Sequence, residues 1–481
     1  MKVLFVTPPY HAGVVESAGR WMPLSYVYLA GAVRAAGFDA EIYDAMTLQD
    51  TLEGIRDRLR ASTFDVIAVS AITSTLPASL DVLRVARSLD PTVITILGGV
   101  HPTFCVEEIF SEHADLVDYI VRGEGEETLP ELLKALRDAS SLHDVVGIAW
   151  KEKEAVHRTA SRPFIADLDG LPTAWDLVRW EDYRYYVIPD SRLGAVSTSR
   201  GCTHECTFCS QQKFWEKSWR GRRPEKVVDE MAMLHETYGV NVFLLVDEYP
   251  TKERDRWEEL LDRVIHARLD SYLLMETRVE DIVRDADIMR KYREAGIVHV
   301  YIGVEATSQE TLDRIKKEIS VEQSEEAIHL LHRQDMITET SFVLGFPWET
   351  RDSIEETLKL AQRYGPDFAH FLAITPWPYA DMYAELEDAV EIHDYAKYNL
   401  VEPIVRPAAM TRDEVRTAIV ECYARYYMNR VPEYFKIKNR FKREYLKRSM
   451  KLIMSNSFLT ELIRGSGLAS QFSAMQQHVT R

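Results

Sequence analysis

Residues 196–215 read Val-Ser-Thr-Ser-Arg-Gly-Cys-Thr-His-Glu-Cys-Thr-Phe-Cys-Ser-Gln-Gln-Lys-Phe-Trp, and three of the chain's five cysteines, Cys202, Cys206 and Cys209, fall inside this one stretch. Thiolates at Cys-x3-Cys-x2-Cys spacing can hold three irons of a [4Fe-4S] cube and leave the fourth iron open to a small-molecule ligand. Zinc is the competing reading. Structural zinc takes four protein ligands, so it would need His204 or a group from outside the loop. Cys105 and Cys422 stand alone in sequence and read as ordinary buried thiols.

The rest of the chain has to present such a loop. At 481 residues, 46% hydrophobic and 28% charged, it is long enough for more than one hydrophobic core and reads as globular and soluble. A formal net charge of −18 argues against nucleic acid as the main partner, because phosphate binding needs a basic surface. The opening apolar run, Val3 to Val6, is too short for a secretory signal, and no stretch reaches the ~18 apolar residues of a membrane span. Few cysteines in a large chain point to a reducing, cytoplasmic setting and to metal chemistry in place of disulfides.

Two sets of alternating strands and helices are legible. In the first, Lys2–Val6, Ala40–Tyr43, Val66–Ser70 and Thr92–Leu97 read as strands, with helices over Leu24–Ala36, Leu52–Ala61 and Leu80–Ser88. That order predicts a parallel, doubly wound sheet with ligands at the carboxyl ends of its strands, here His11–Gly13, Ser70–Thr73 and Gly98–Thr103. Glu124, Glu126 and Glu127 suit a helix N-terminus. Residues 146–190 read as a connector whose aromatics, Trp175, Trp180, Tyr183, Tyr185 and Tyr186, pack between domains.

From Gly194 a second set begins. Ala195–Thr198 feeds the cysteine loop, Val242–Val246 ends in Asp247-Glu248, and Leu273–Met275 ends in Glu276-Thr-Arg278. Val298–Ile302 leads to Glu305, Thr340–Leu344 to Gly345, and His370–Ile374 to Thr375-Pro-Trp-Pro378. Polar groups at the same end of six strands predict a partial β/α barrel around one cavity. Beyond residue 400 the pattern is helical. Between Arg430 and Lys451 nine basic residues face two acidic ones, with Phe435, Ile437, Phe441, Tyr445 and Leu446 interleaved. A basic amphipathic helix of this kind fits an anionic membrane surface or covers the barrel.

Ser70-Ala-Ile72, Gly98-Gly99 and Val121-Arg-Gly-Glu-Gly-Glu-Glu-Thr-Leu129 resemble cobalamin-binding domains. The resemblance implies that Ser70 contacts the buried nucleotide tail and that Gly98 and Gly99 let the backbone approach it. The usual Asp-x-His-x-x-Gly cobalt-ligating pattern is absent around His11, where Pro9 and Val14 stand in for the aspartate and glycine. The cysteine loop, with Phe208 before its last cysteine, resembles the radical S-adenosylmethionine superfamily. That resemblance implies a cluster on Cys202, Cys206 and Cys209, with Phe208 and Gly345 near the adenine. It also implies Asp247 and Glu248 at the methionine ammonium, and Arg278 and Glu305 at the ribose or carboxylate.

The two together give an α/β fold: a cobalamin-binding-like domain over 1–145, a connector over 146–190, a radical S-adenosylmethionine barrel over 191–400, and a helical C-terminal region over 401–481. Asp44-Ala-Met-Thr47, Cys209-Ser-Gln-Gln-Lys-Phe-Trp215, Thr375-Pro-Trp-Pro378 and Phe441-Lys-Arg-Glu-Tyr-Leu446 are similar to the anaerobic magnesium-protoporphyrin ester cyclases, and the first loop to hopanoid C-3 methylases. The expectation is methyl transfer to an unactivated carbon of a hydrophobic polycyclic substrate, a hopanoid first, with oxidative cyclisation of a magnesium porphyrin as the alternative. Such a reaction takes a [4Fe-4S] cluster, S-adenosylmethionine, cobalamin and a flavodoxin- or ferredoxin-like electron donor, and no protein acid or base for the carbon–carbon bond. Trp377 and Tyr379 are expected in the substrate pocket, and the basic tail at the inner membrane face.

Overall fold

This computed structural model describes residues 1–10 and 18–456. His11, named as a candidate at the carboxyl end of the first strand, lies outside them. Fifteen strands are found among the described residues, numbered here in chain order. The first sheet comprises β1 (Lys2–Val6), β2 (Asp39–Tyr43), β3 (Val66–Ser70), β4 (Ile94–Gly98), β5 (Tyr119–Val121), β6 (Ile148–Glu152) and β7 (Ala155–Arg158), in the order β2-β1-β3-β4-β5-β6-β7. Its first five strands are parallel, as the alternation requires. The last two are antiparallel and carry the sheet into the expected connector.

Side-chain alternation explains why β1 and β3 are apolar throughout. Val3, Phe5, Val66 and Ala68 enter the core on one face, while Leu4, Val6, Ile67 and Val69 enter the core on the other. A strand covered on both sides by helices has no polar face to offer.

The second sheet comprises β8 (Leu193–Val196), β11 (Val242–Leu245), β12 (Tyr272–Thr277), β13 (Ile297–Glu305), β14 (Ile337–Leu344) and β15 (Phe368–Ala373), all parallel and adjacent in chain order. Between β8 and β11, β9 (Ser199–Gly201) and β10 (Trp219–Gly221) pair as an antiparallel ribbon that brackets the cysteine loop. The ribbon demands glycine at 201: its φ is +101°, and a Cβ there would sit 2.2 Å from the Ser218 carbonyl oxygen.

The connector aromatics pack between the sheets. Tyr183 donates to Asp44 of the first domain at 2.8 Å, and Trp175 to Glu230 of the second at 3.1 Å. The helices Arg412–Tyr434 and Arg440–Asn456 close the side of the barrel. Tyr445, Leu446 and Met450 are buried there, Phe441 stacks on Tyr272 at 5.2 Å, and Lys442 Nζ lies 2.7 Å from buried Asp367. The apolar face of the basic helix is therefore turned into the protein, which leaves mainly its charged face for solvent. Among the described residues no helix is long and apolar enough to cross a membrane.

Candidate active site

The cysteine loop hangs from the carboxyl end of β8 and continues into the short helix Ser210–Phe214. Cys206 is buried and its two companions are half-buried. Burial pushes the Cys209 thiol up to about 12 and Cys202 upward, so thiolates here need compensating positive charge. Two cations supply it. Arg278 Nη1 lies 3.8 Å from Cys206 Sγ, and its Nη2 donates to the carbonyl of Lys317, whose own buried ammonium is raised by Glu305 and Cys206 against its desolvation. Three convergent sulfurs with an arginine and a lysine at hand fit an anionic iron–sulfur cluster. His204, the fourth ligand that zinc would need, has Nδ1 2.8 Å from the Glu318 carboxylate.

The strand ends around the loop carry the remaining groups. Asp247 is buried and accepts from Thr198 N (2.9 and 3.0 Å), Thr198 Oγ1 (2.9 Å) and Ser199 Oγ (2.6 Å), so it fastens β8 to β11. Glu248 accepts from Trp215 Nε1 at 3.0 Å and Gly201 N at 3.3 Å. At the bulge where β13 meets β14, Glu305 adopts φ +63° and accepts from Lys317 Nζ and Ser341 Oγ, both at 3.0 Å. Gly345, at φ +88°, and Phe346 donate backbone N–H groups to Glu349 at 2.6 and 3.0 Å. Phe208 packs with Trp348 and Trp377 on the apolar cluster of Phe346 and Ile374.

Glu276 is the group that sequence reasoning registered only as a strand end. Its side chain is exposed to the barrel cavity, without a hydrogen-bond partner among the described residues, and enclosure by the cavity walls followed by the charges of Glu248 and Asp247 raises it to about 7.

Two cavities meet over these strand ends. One, of about 490 Å³, lies between the domains; Ser70, Gly98 and Gly99 line one wall, Arg200, Trp215 and Glu248 the other. Gly99 has φ +98°, and a Cβ would stand 2.5 Å from Ala71 O and 2.7 Å from Ser70 Oγ. Gly98 and Gly99 also present bare backbone to the cavity, where a cofactor could approach closely, and this lining fits a cobalamin. The second, of about 320 Å³, runs into the barrel past Leu274, Glu276, Tyr301 and Phe368 to the pair His299 and His370, whose Nε2 atoms lie 2.7 and 2.5 Å from the Glu339 carboxylate. Val246 lines both cavities.

Two expectations change here. Glu124 and Glu126 do more than favour a helix start: Arg200 donates to both at 2.7 Å, Arg220 to Glu124 at 2.9 Å, and Glu127 pairs instead with Arg162. Trp377 and Tyr379 line neither cavity. Beyond β15 the chain turns to the first domain, where Tyr379 stacks on Phe104 at 5.0 Å and meets Thr73 at 3.3 Å.

Residues 10–133 match the B12 binding domain family and residues 196–361 the radical SAM superfamily. The chain is 38% identical over 453 residues to the anaerobic magnesium-protoporphyrin IX monomethyl ester cyclase of Cereibacter sphaeroides, covering 93% of this chain and 74% of that protein. The chain belongs to the cobalamin-dependent radical S-adenosylmethionine enzymes. It is an enzyme of a family that contains both methyltransferases and the cyclase, with a [4Fe-4S] cluster, S-adenosylmethionine and cobalamin as cofactors. This radical enzyme shares its fold with the methyltransferase TsrM of Kitasatospora setae, solved with cobalamin and the cluster bound: TM-score 0.70, 16% identity, 100% of this chain and 99% of that one. To the hopanoid C-3 methylase of Methylococcus capsulatus it is 22% identical over 390 residues, 80% of this chain and 73% of that protein. The hopanoid expectation therefore rests on a distant likeness.

Proposed function

We propose that this enzyme functionalises an unactivated carbon of a large, mostly apolar ring system, and that a magnesium porphyrin ester, undergoing oxidative cyclisation, fits better than a hopanoid receiving a methyl group. The observation that carries the reading is the pair of cavities sharing Val246: a substrate spanning them would meet the glycine cradle of the first domain at one end and Glu276 and Tyr301 of the barrel at the other. Likeness favours the porphyrin, at 38% identity against 22%. Chemistry favours it too. Methyl transfer needs no protein base, whereas bringing oxygen in from water needs a proton acceptor, and Glu276, raised to about 7, is poised for that task.

When bound, the cluster and S-adenosylmethionine supply a carbon-centred radical and cobalamin a partner for substrate chemistry at the same cavity. The chain's own residues bind and orient. Cys202, Cys206 and Cys209 hold the cluster while Arg278 and Lys317 balance its charge. Glu248 takes the methionine ammonium; Asp247, spent on Thr198 and Ser199, keeps the strand end in place. Glu305 serves the ribose, and Gly345 and Phe208 the adenine. Ser70, Gly98 and Gly99 would hold the nucleotide tail of the cobalamin. A flavodoxin- or ferredoxin-like donor supplies electrons, and any peripheral membrane contact uses a surface other than the buried face of the helix Arg440–Asn456.

The test is anaerobic reconstitution with iron, sulfide, cobalamin and methyl-labelled S-adenosylmethionine, offered a magnesium porphyrin monomethyl ester or a hopanoid. A new ring whose oxygen comes from labelled water supports the reading. Labelled methyl on the hopanoid would replace it with methyl transfer.

A further inference from the structure

Away from both cavities, the first domain carries a second cluster of metal-ligating side chains. The short helices Val100–Phe104 and Val106–Glu112 follow β4, and their spacing of four and then three residues puts His101, Cys105 and Glu108 on one side. A nitrogen of His101, the Cys105 sulfur and a Glu108 oxygen all lie within 4.8 Å of one another. None of the three lines the cofactor or barrel cavity.

His101 is the observation that points to a ligand. Its ring is fully buried, walled by Tyr395 at 5.0 Å and Tyr379 at 6.1 Å. Nδ1 sits 3.1 Å from Thr73 Oγ1, and Nε2 is buried with no hydrogen-bond partner. A buried polar atom left unpaired is costly, so one in a native core calls for a partner. Burial also keeps the imidazole neutral, down to about 4, and a neutral ring retains the lone pair that a metal uses. Cys105 is a free, half-buried thiol, and Glu108 Oε2 accepts from Tyr395 at 3.0 Å.

We propose that His101, Cys105 and Glu108 form a zinc site separate from the iron–sulfur loop. One nitrogen, one thiolate sulfur and one carboxylate oxygen are a donor set that zinc accepts, with the fourth position left to water or the Tyr395 phenol. Binding exchanges the Cys105 S–H bond for a zinc–sulfur bond and releases that proton to solvent; nothing is oxidised or reduced. Because Tyr395 follows the barrel in sequence and touches Glu108, a filled site would clasp the first domain to the segment behind the second.

The test uses the full chain with Cys202→Ser, Cys206→Ser and Cys209→Ser, which removes the competing thiolates. Loaded with zinc and gel-filtered, it should retain about one zinc per chain by elemental mass spectrometry. Cobalt(II) in place of zinc should give a thiolate-to-cobalt charge-transfer band. Adding Cys105→Ser should abolish that band, and Glu108→Gln, whose amide oxygen still accepts from Tyr395, should weaken retention at least about tenfold. Circular dichroism checks that both half-buried positions leave the fold intact. No zinc retained at equimolar loading, or a cobalt band unchanged by Cys105→Ser, would overturn the site.

Discussion

Arg200, two residues before the first cluster cysteine, donates one guanidinium nitrogen to Glu124 and the other to Glu126, each at 2.7 Å, and its guanidinium carbon lies 5.3 Å from the centre of the Tyr28 ring. The radical loop is thereby locked to the domain that carries the glycine cradle. All three side chains are nearly buried, so removing one partner leaves an uncompensated charge, at about 3–5 kcal/mol. Arg200→Ala should lower the urea midpoint accordingly and uncouple S-adenosylmethionine cleavage from product formation. Arg200→Lys, which cannot fork to two carboxylates, should recover little of either.

Gly99 and Gly98 separate backbone strain from cavity shape. A Cβ at Gly99 meets Ala71 O at 2.5 Å with φ at +98°, while the nearest atom to one at Gly98 is 3.5 Å away. Gly99→Ala should destabilise the first domain, its positive-φ backbone alone contributing about 1–3 kcal/mol, and lose cobalamin on gel filtration. Gly98→Ala should fold normally. Equal behaviour of the two would remove the close-approach role of Gly99.

Glu276 gives the stability a pH signature. Its ordinary value is 4.5 and its folded value about 7, raised by enclosure in the barrel cavity, to which its side chain is exposed, and by Glu248, Asp247 and Glu305, with Lys317 opposing. Between the two values the folded chain holds a proton that the unfolded chain has released. Its contribution is thus full below 4.5 and lost as pH rises through about 7. Glu276→Gln should flatten the fall in urea midpoint between about pH 5 and about pH 8. An unchanged slope would assign the proton to another group.

Leu446 distinguishes a barrel cover from a membrane anchor. It is fully buried, so Leu446→Ala should cost about 2–5 kcal/mol in lipid-free buffer. A neutral effect on unfolding together with weaker binding to anionic vesicles would return the helix to the membrane.

What sequence conveys and what it withholds follows from range. β1 and β3 are legible because strands buried on both faces must be apolar throughout, the six barrel strands because their short apolar runs each end in polar groups, and the cysteine spacing because it is local chemistry. β5 has three residues, and β7 is partly exposed along its whole length, so neither leaves a pattern. The Arg200–Glu124 bond spans 76 residues and depends on how two domains dock. For the basic helix, periodicity reveals an apolar face without saying what covers it. Glu276 stood beside Arg278 in plain view, but only the packing shows that it has no partner.

The most direct measurement is anaerobic 5'-deoxyadenosine formation by the reconstituted chain and by its Cys206→Ala variant, each folded and each given S-adenosylmethionine and reductant. The wild-type chain should form 5'-deoxyadenosine and the variant none, with loss of the iron–sulfur absorbance. Turnover of substrate by the variant at the wild-type rate would contradict a radical enzyme organised around residues 202–209.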